Sequence, residues 1–310
     1  MTVQQQTEAK PAAMAGDVQA RLMLFVLCLI WGLTWPMMKI ALNEIPPLSM
    51  RVATAGVGAL SLLAICMVGR HSLRVPSTKA WAHVVAATIL NVVGFALFSA
   101  FAQIAAATSR VAILTYAMPI WVLVLAWLFL RESPTRVQAI AITLCALGIA
   151  VLIAPLATTG VPLGLLLAIG SGFSWAAGTV YVKWAKIAVD PIGFASWQMT
   201  IAFFIITACM FIFDGGMHLG AAHADALLAV LFTGVFGNAV AYAMWFAIIR
   251  RVPALTATLG IVAIPVIGVV STMLIIGDRP TAADSVGFAF ILAASLCAQI
   301  PASVFRRFSR

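Results

Sequence analysis

The chain has 310 residues, 64% of them hydrophobic and 9% charged, with a mean hydropathy of +1.11. A soluble domain carries roughly 25% charged residues, so a water-soluble globular fold is excluded and an all-α polytopic membrane protein is implied. The net charge of +9 would suggest nucleic acid in a soluble protein, but here the charges fall between apolar runs, where they report topology and argue against a nucleic-acid partner.

Residues 1–20 are polar and read as a disordered tail. The apolar run after Arg21 is too long for a signal-peptide core and has no clear cleavage site, so it reads as a retained helix. Ten transmembrane helices follow, predicted at 22–41, 47–68, 81–104, 108–130, 135–154, 162–185, 192–213, 224–249, 254–276 and 282–303, with a basic tail at 304–310. Only a short Ala-Thr-Ser stretch separates the third from the fourth. Cys28, Cys66, Cys145, Cys209 and Cys297 fall inside these spans without a Cys-x-x-Cys pair and read as small buried apolar residues.

With the N-terminus in the cytoplasm, fourteen Lys and Arg lie on that side and four, Lys39, Arg51, Arg110 and Arg279, on the other. The positive-inside rule then puts both termini in the cytoplasm of a bacterial inner membrane.

The segment from Ala107 to Ile153 occurs twice. Pro119 is followed by Arg131-Glu132-Ser133-Pro134-Thr135, and about 146 residues later Pro265 is followed by Gly277-Asp278-Arg279-Pro280-Thr281. In each copy the acid comes 13 residues after the first proline and the second proline 15 after it. Trp31, Trp35 and Lys39 match Trp175, Thr179 and Lys183 at an offset of 144, as Pro47 matches Pro191. Asn91, Phe95 and Phe98 match Asn238, Tyr242 and Trp245 at an offset of 147. The chain therefore divides into a first five-helix repeat at 21–154 and a second at 155–303. Five is odd, so the second copy is inverted, an arrangement of secondary transporters with the substrate between the halves.

Asn91/Phe95/Phe98 and Asn238/Tyr242/Trp245 each share one helix face. An amide in hydrocarbon must find a partner, which can be a neighbouring helix or a wet cavity. Trp31, Trp35, Trp175 and Tyr116 lie deeper than an interfacial belt requires and are candidates for the same cavity, with Thr179 beside them. Pro119 and Pro265 each remove a backbone hydrogen bond and predict kinks that can act as hinges. Ser133-Pro134 reads as N-cap and first-turn proline of the fifth helix. Glu132 and Asp278 then sit at membrane edges as caps or gates.

None of the nine acids lies at midspan, and the four histidines fall in loops or near helix ends. A proton relay through the membrane centre has no carboxylate or histidine to run on. There is no paired Asp, His cluster, Gly-x-Ser-x-Gly or Walker lysine, so neither an enzyme, a metal site nor a cofactor is expected.

The Leu29-Ile30-Trp31-Gly32-Leu33-Thr34-Trp35 helix, the Pro119 helix ending in Leu130-Arg131-Glu132-Ser133-Pro134-Thr135 and its inverted copy ending in Gly277-Asp278-Arg279-Pro280-Thr281 resemble the EamA-type transporters of the drug/metabolite transporter superfamily. The resemblance covers nearly everything after residue 20. It implies ten helices in two inverted repeats around a cavity lined by the first, third, fourth, sixth, eighth and ninth helices, and is closest to the bacterial aromatic amino-acid exporters. The glutamate that the small multidrug transporters carry in their first helix has no counterpart in residues 22–41, which argues against proton antiport and against cationic-drug binding. The expected function is alternating-access export of a small neutral or zwitterionic metabolite across the bilayer, an amino acid with an apolar or aromatic side chain, by a chain for which a monomer suffices. A multidrug or nucleotide-sugar carrier, or a membrane sensor, are the alternatives.

Overall fold

The computed structural model describes residues 4–156, 162–220, 222–249 and 262–298. Among them are eight helices long and apolar enough to cross a membrane: α1 Gln4–Leu42, of which Leu22–Leu42 is the apolar part, α2 Pro47–Gly69, α3 Thr78–Ala105, α4 Thr108–Leu130, α5 Arg136–Ile153, α6 Leu163–Ala185, α7 Pro191–Phe213 and α8 at 224–249. Two shorter apolar helices complete the set, α9 Ala263–Ile276 and α10 Ala282–Ala298. The loop at 157–161, the expected start of the ninth span at 254–261 and the basic tail at 304–310 lie outside the described residues.

Local chemistry sets the helix ends. Pro47 and Pro191 open α2 and α7, where a missing N–H leaves no carbonyl unpaired. Asp190 caps α7, its Oδ1 accepting from the N–H groups of Ile192 at 3.0 Å and Gly193 at 3.1 Å. The cap of α5 differs from expectation. Thr135, not Ser133, is the N-cap, because its side chain accepts from Gln138 N while the Gln138 side chain returns to Thr135 N. That box satisfies two helix-end donors, where a lone serine would satisfy one. Thr281 and Asp284 repeat it at α10. Helix α1 runs back to Gln4 through residues expected to be a disordered tail; the Ala, Gln and Met in that stretch are strong helix formers.

The prolines also act differently from a mid-helix kink. The helix stops at Thr115, turns through Tyr116–Ala117, and restarts at Met118 with Pro119 in its first turn. Pro265 sits in the first turn of α9. A proline lacking its N–H is least costly there.

The rods pack in a regular pattern. Helix α5 lies along α10, α2 along α7, α1 along α9 and α4 along α6, while α3 packs on α6 and α8 on α1 and α2. Small residues let backbones approach: a Cβ on Gly148 of α5 would sit 2.9 Å from the Gly287 carbonyl oxygen of α10. The outward faces are apolar, with Leu60, Val68, Phe213 and Leu274 exposed. In water this would be an unmanageable patch; in a bilayer it is the required surface.

Side-chain contacts define two ends. At one, His71 meets Asp190, His83 meets Tyr181, and Lys183 meets Glu132; Arg70, Arg131 and Lys186 close α2, α4 and α6 there. This is the basic end. At the opposite end Glu44 pairs with His223, and Arg110 with Asp284.

Candidate functional site

Between those ends, helices from both halves of the chain bring their aromatic residues together. Phe95 on α3 meets Trp175 on α6 edge-to-face, centroids 5.2 Å apart. Trp175 meets Tyr242 on α8 at 6.3 Å. Tyr242 meets Trp31 on α1 at 6.1 Å, and Trp31 meets Trp245 at 6.3 Å. These five rings form one connected row across α3, α6, α8 and α1. Trp35, one turn along α1, packs against Tyr116 at 6.1 Å, and Tyr116 joins the buried cluster that Trp31 and Trp245 flank.

Two of the candidate residues stay apart from the row. Phe98 is 39% exposed and lies over Gly170. Thr179 is exposed, and its hydroxyl donates back to the Trp175 carbonyl at 2.9 Å.

The two asparagines occupy matching special positions. Asn91 lies in a π turn, Ile89–Gly94, and Asn238 in another, Thr233–Val240. Widened turns inside α-helices recur at functional sites. Each amide donates to a neighbouring helix: Asn91 Nδ2 to the Trp175 carbonyl of α6 at 3.0 Å, Asn238 Nδ2 to the Thr54 carbonyl of α2 at 3.2 Å. The close fit has a cause, since a Cβ on Gly178 would come within 2.4 Å of the Asn91 Cβ. The Trp31 indole N–H donates to the Gly237 carbonyl of the second π turn at 3.1 Å. The amides therefore bind helices together at the edge of the aromatic row, and the aromatic rings make up the row itself.

The edge residues have distinct partners. Glu132 is gripped by Lys183, Nζ to Oε1 at 2.6 Å and Oε2 at 2.9 Å. Asp278 Oδ2 accepts from Ser109 N at 2.7 Å, capping the start of α4 across the bundle. Arg110, one residue on, forks onto Asp284 at 2.5 and 2.9 Å.

Sequence reasoning passed over a group near the opposite end: Arg51 on α2, and Ser99 and Gln103 on α3, all buried. The signal was present, since Arg51 is a lone cation inside an apolar run and Gln103 follows Phe95 and Ser99 at four-residue steps on one face. An apolar groove of about 640 Å³ between α1 and α8, lined by Met37, Ile40 and Phe232, contains none of the candidate residues. Among the described residues no group of His, Cys, Asp or Glu could hold a metal.

The comparisons with known proteins agree with this architecture. The sequence matches the EamA-like transporter family over residues 19–154 and 162–298. It is 27% identical over 277 residues to the uncharacterized transporter YvbV of Bacillus subtilis, covering 89% of this chain and 90% of that one. It is 21% identical over 253 residues to YoaV of the same organism, with 81% and 86% covered, and 22% identical over 262 residues to an uncharacterized transporter of Archaeoglobus fulgidus, with 84% and 92% covered. A solved crystal structure shares the fold with a TM-score of 0.66 at 18% identity, over 94% of this chain and 99% of its own. With the family match spanning nearly the whole chain and the apolar helices to carry it, this is a multi-pass membrane protein that belongs to the EamA-like transporter family.

Proposed function

We propose that the protein exports small neutral or zwitterionic metabolites, amino acids with apolar or aromatic side chains foremost, by alternating access. The observation that carries this reading is the aromatic row. Its rings come from α1 and α3 on one side and α6 and α8 on the other, so relative motion of the two halves would remodel it. Tilted and edge-on rings suit a flat apolar side chain.

The mechanism follows from an inverted repeat. Adding five to each helix number turns the α1–α9 contact into α6–α4, α3–α6 into α8–α1, and α2–α8 into α7–α3, and all of these pairs occur. The contacts of α5 with α10 and α2 with α7 map onto themselves. This pattern, with two family matches on one chain, supports ten spans in two inverted halves. Each half presents helices broken near midspan, α3 and α8 by π turns and α4 before Pro119, where bending costs least. The positive-inside rule places the basic end and both termini in the cytoplasm of an inner membrane. Among the described residues no carboxylate faces the middle of the row, so the substrate's own gradient drives flux.

The test is a proteoliposome assay with a panel of labelled amino acids, with and without a pH gradient. Saturable flux of aromatic or large aliphatic amino acids, little changed when the pH gradient is collapsed, is the expected result. Strict dependence on that gradient with stoichiometric proton counterflow would refute the facilitator mechanism. Flux confined to nucleotide sugars or cationic drugs would refute the substrate class.

A further inference from the structure

The opposite end of the bundle holds buried polar groups that helix packing does not explain. Arg51 is 5% exposed, yet among the described residues it makes a single hydrogen bond, from Nη2 to Ser99 Oγ at 2.8 Å, and its Nε is buried without a partner. A guanidinium carries five N–H donors and stays charged. Gln103 is fully buried; among the described residues its Nε2 reaches only the Met38 sulfur at 3.9 Å, and its Oε1 has no partner. Lys39 donates its Nζ to the Gln103 carbonyl at 3.1 Å. The ion pairs among the described residues involve other groups, so two cations converge on Gln103 and Ser99 without a carboxylate. An unpaired buried cation is strongly unfavourable in a membrane protein and marks a ligand path by default.

The group also stands in register with the aromatic row. Phe95, Ser99 and Gln103 follow one another at four-residue steps on one face of α3, as Trp35 and Lys39 do on α1. At 1.5 Å per residue, Ser99 lies about 6 Å and Gln103 about 12 Å beyond Phe95. The step of about 6 Å is close to the span from the ring to the head group of a large amino acid, and the Gln103 side chain, leaning toward the helix N-terminus, reaches back over the further turn.

We infer that Arg51, Lys39 and Gln103 form the head-group subsite for an α-amino carboxylate. Arg51 and Lys39 take the carboxylate, the Gln103 Oε1 accepts from the ammonium, and the side chain extends toward Phe95 and Trp35. The guanidinium fork matches a carboxylate in two parallel hydrogen bonds. This assignment rests on the transport reading above and narrows it to substrates that carry a free carboxylate.

Three probes test it: phenylalanine, its amide, which lacks the carboxylate, and 3-phenylpropionate, which lacks the amine. With the native protein in neutral detergent, phenylalanine should raise the thermal midpoint most, phenylpropionate less, and the amide not at all. In proteoliposomes, Arg51→Gln should raise the half-saturating phenylalanine concentration by more than about tenfold, and Arg51→Lys should recover part of that loss. Gln103→Met should erase the preference for phenylalanine over phenylpropionate while keeping carboxylate dependence. Equal stabilisation of the native protein by phenylalanine and its amide would overturn the subsite, even if Arg51→Gln fails to fold. So would unchanged saturation in a folded Arg51→Gln variant; the transport reading would survive either result. A thermal shift produced by phosphatidylglycerol but by none of the three probes would assign the guanidinium to a lipid headgroup and end the proposal. If the native protein moves no amino acid at all, the transport reading falls, and the subsite with it.

Discussion

Lys183 and Lys39 hold matching places in the two halves, as do Glu132 and Asp278. At the basic end the Lys183 ammonium donates to both carboxylate oxygens of Glu132. At the opposite end Lys39 turns to the Gln103 carbonyl, and Asp278 caps α4 through Ser109 N. The middle shows the same divergence, since Asn91 bonds α6 whereas Asn238 bonds α2. If the two halves are the inverted repeat proposed above, two copies of one pattern that make different bonds are what it displays when it faces one side. On that reading the basic end is latched, and the other end holds the unlatched form of the same device. The opposite state would pair Lys39 with Asp278 and release Lys183 from Glu132.

The largest effect comes from preventing that exchange. Cysteines placed at Glu132 and Lys183, in a background with the five native cysteines replaced, can be bridged by a short thiol-specific cross-linker with a cleavable disulfide. The bridged protein should lose nearly all flux and regain it when the linker is reduced. Undiminished flux with the bridge in place would mean that the two ends do not alternate.

The π turns give the next test. Removing a buried hydrogen-bond partner costs roughly 1–3 kcal/mol. Asn238→Ala should fall in that range, because among the described residues no other side chain bonds the Thr54 carbonyl. Asn91→Ala should cost less, about 1 kcal/mol, since the Trp175 carbonyl still receives the Thr179 hydroxyl. Thermal unfolding in detergent measures both. Equal losses would remove the distinction between the two turns. A large fall in substrate affinity at unchanged stability would instead return the amides to the cavity lining.

Much of this was legible in the sequence because hydrocarbon makes sequence simple. Apolar runs, charge asymmetry and the repeated acid-x-Pro-Thr spacing located the helices. The matched Trp31/Trp175 and Phe95/Tyr242 positions located residues that the structure brings into one row. The π turns were not legible, because one inserted residue in a helix leaves no change in apolar period over so short a stretch. The cap at Thr135 was missed because Ser133-Pro134 is an equally valid helix start by residue type, and only the return bond from Gln138 separates them. Arg51 was counted as a topological charge. Its position four residues into α2 made it look like an edge residue, whereas packing of α3 against that turn buries it.

Helix caps distinguish the ends by a smaller amount. Arg131 and Gly277 occupy the same position of the proposed repeat, and both are left-handed, with φ of 57° and 69°. Glycine takes that conformation freely, while another residue loses roughly 1–2 kcal/mol there. Gly277→Ala should therefore destabilise by about 1 kcal/mol. Arg131→Gly should stabilise by up to about 1 kcal/mol, since the relief of strain is partly offset by a more flexible unfolded chain. The thermal midpoint should move in opposite directions for the two variants. If both fall, the Arg131 charge contributes more to the basic end than its backbone strain costs.

The smallest effect belongs to the charges of the latch. Lys183 and Glu132 are 61% and 51% exposed, and an exposed pair is worth about 0.2–1 kcal/mol. At an RT of about 0.6 kcal/mol, breaking it shifts the balance between the two states by roughly 1.4- to 5-fold. Glu132→Gln should favour the state open at the basic end by that factor, read as faster labelling of a cysteine at Phe95 from that side. Asp278→Asn should shift the balance the other way, because it removes the charge that Lys39 would meet in the opposite state. The sign is the decisive quantity. Exchanging the charges, Glu132→Lys with Lys183→Glu, should restore native labelling rates, since the pair is re-formed in reverse. If both neutralising variants push the balance in the same direction, the two ends are not alternative seats of one latch, and the difference between Lys183 and Lys39 is local packing only.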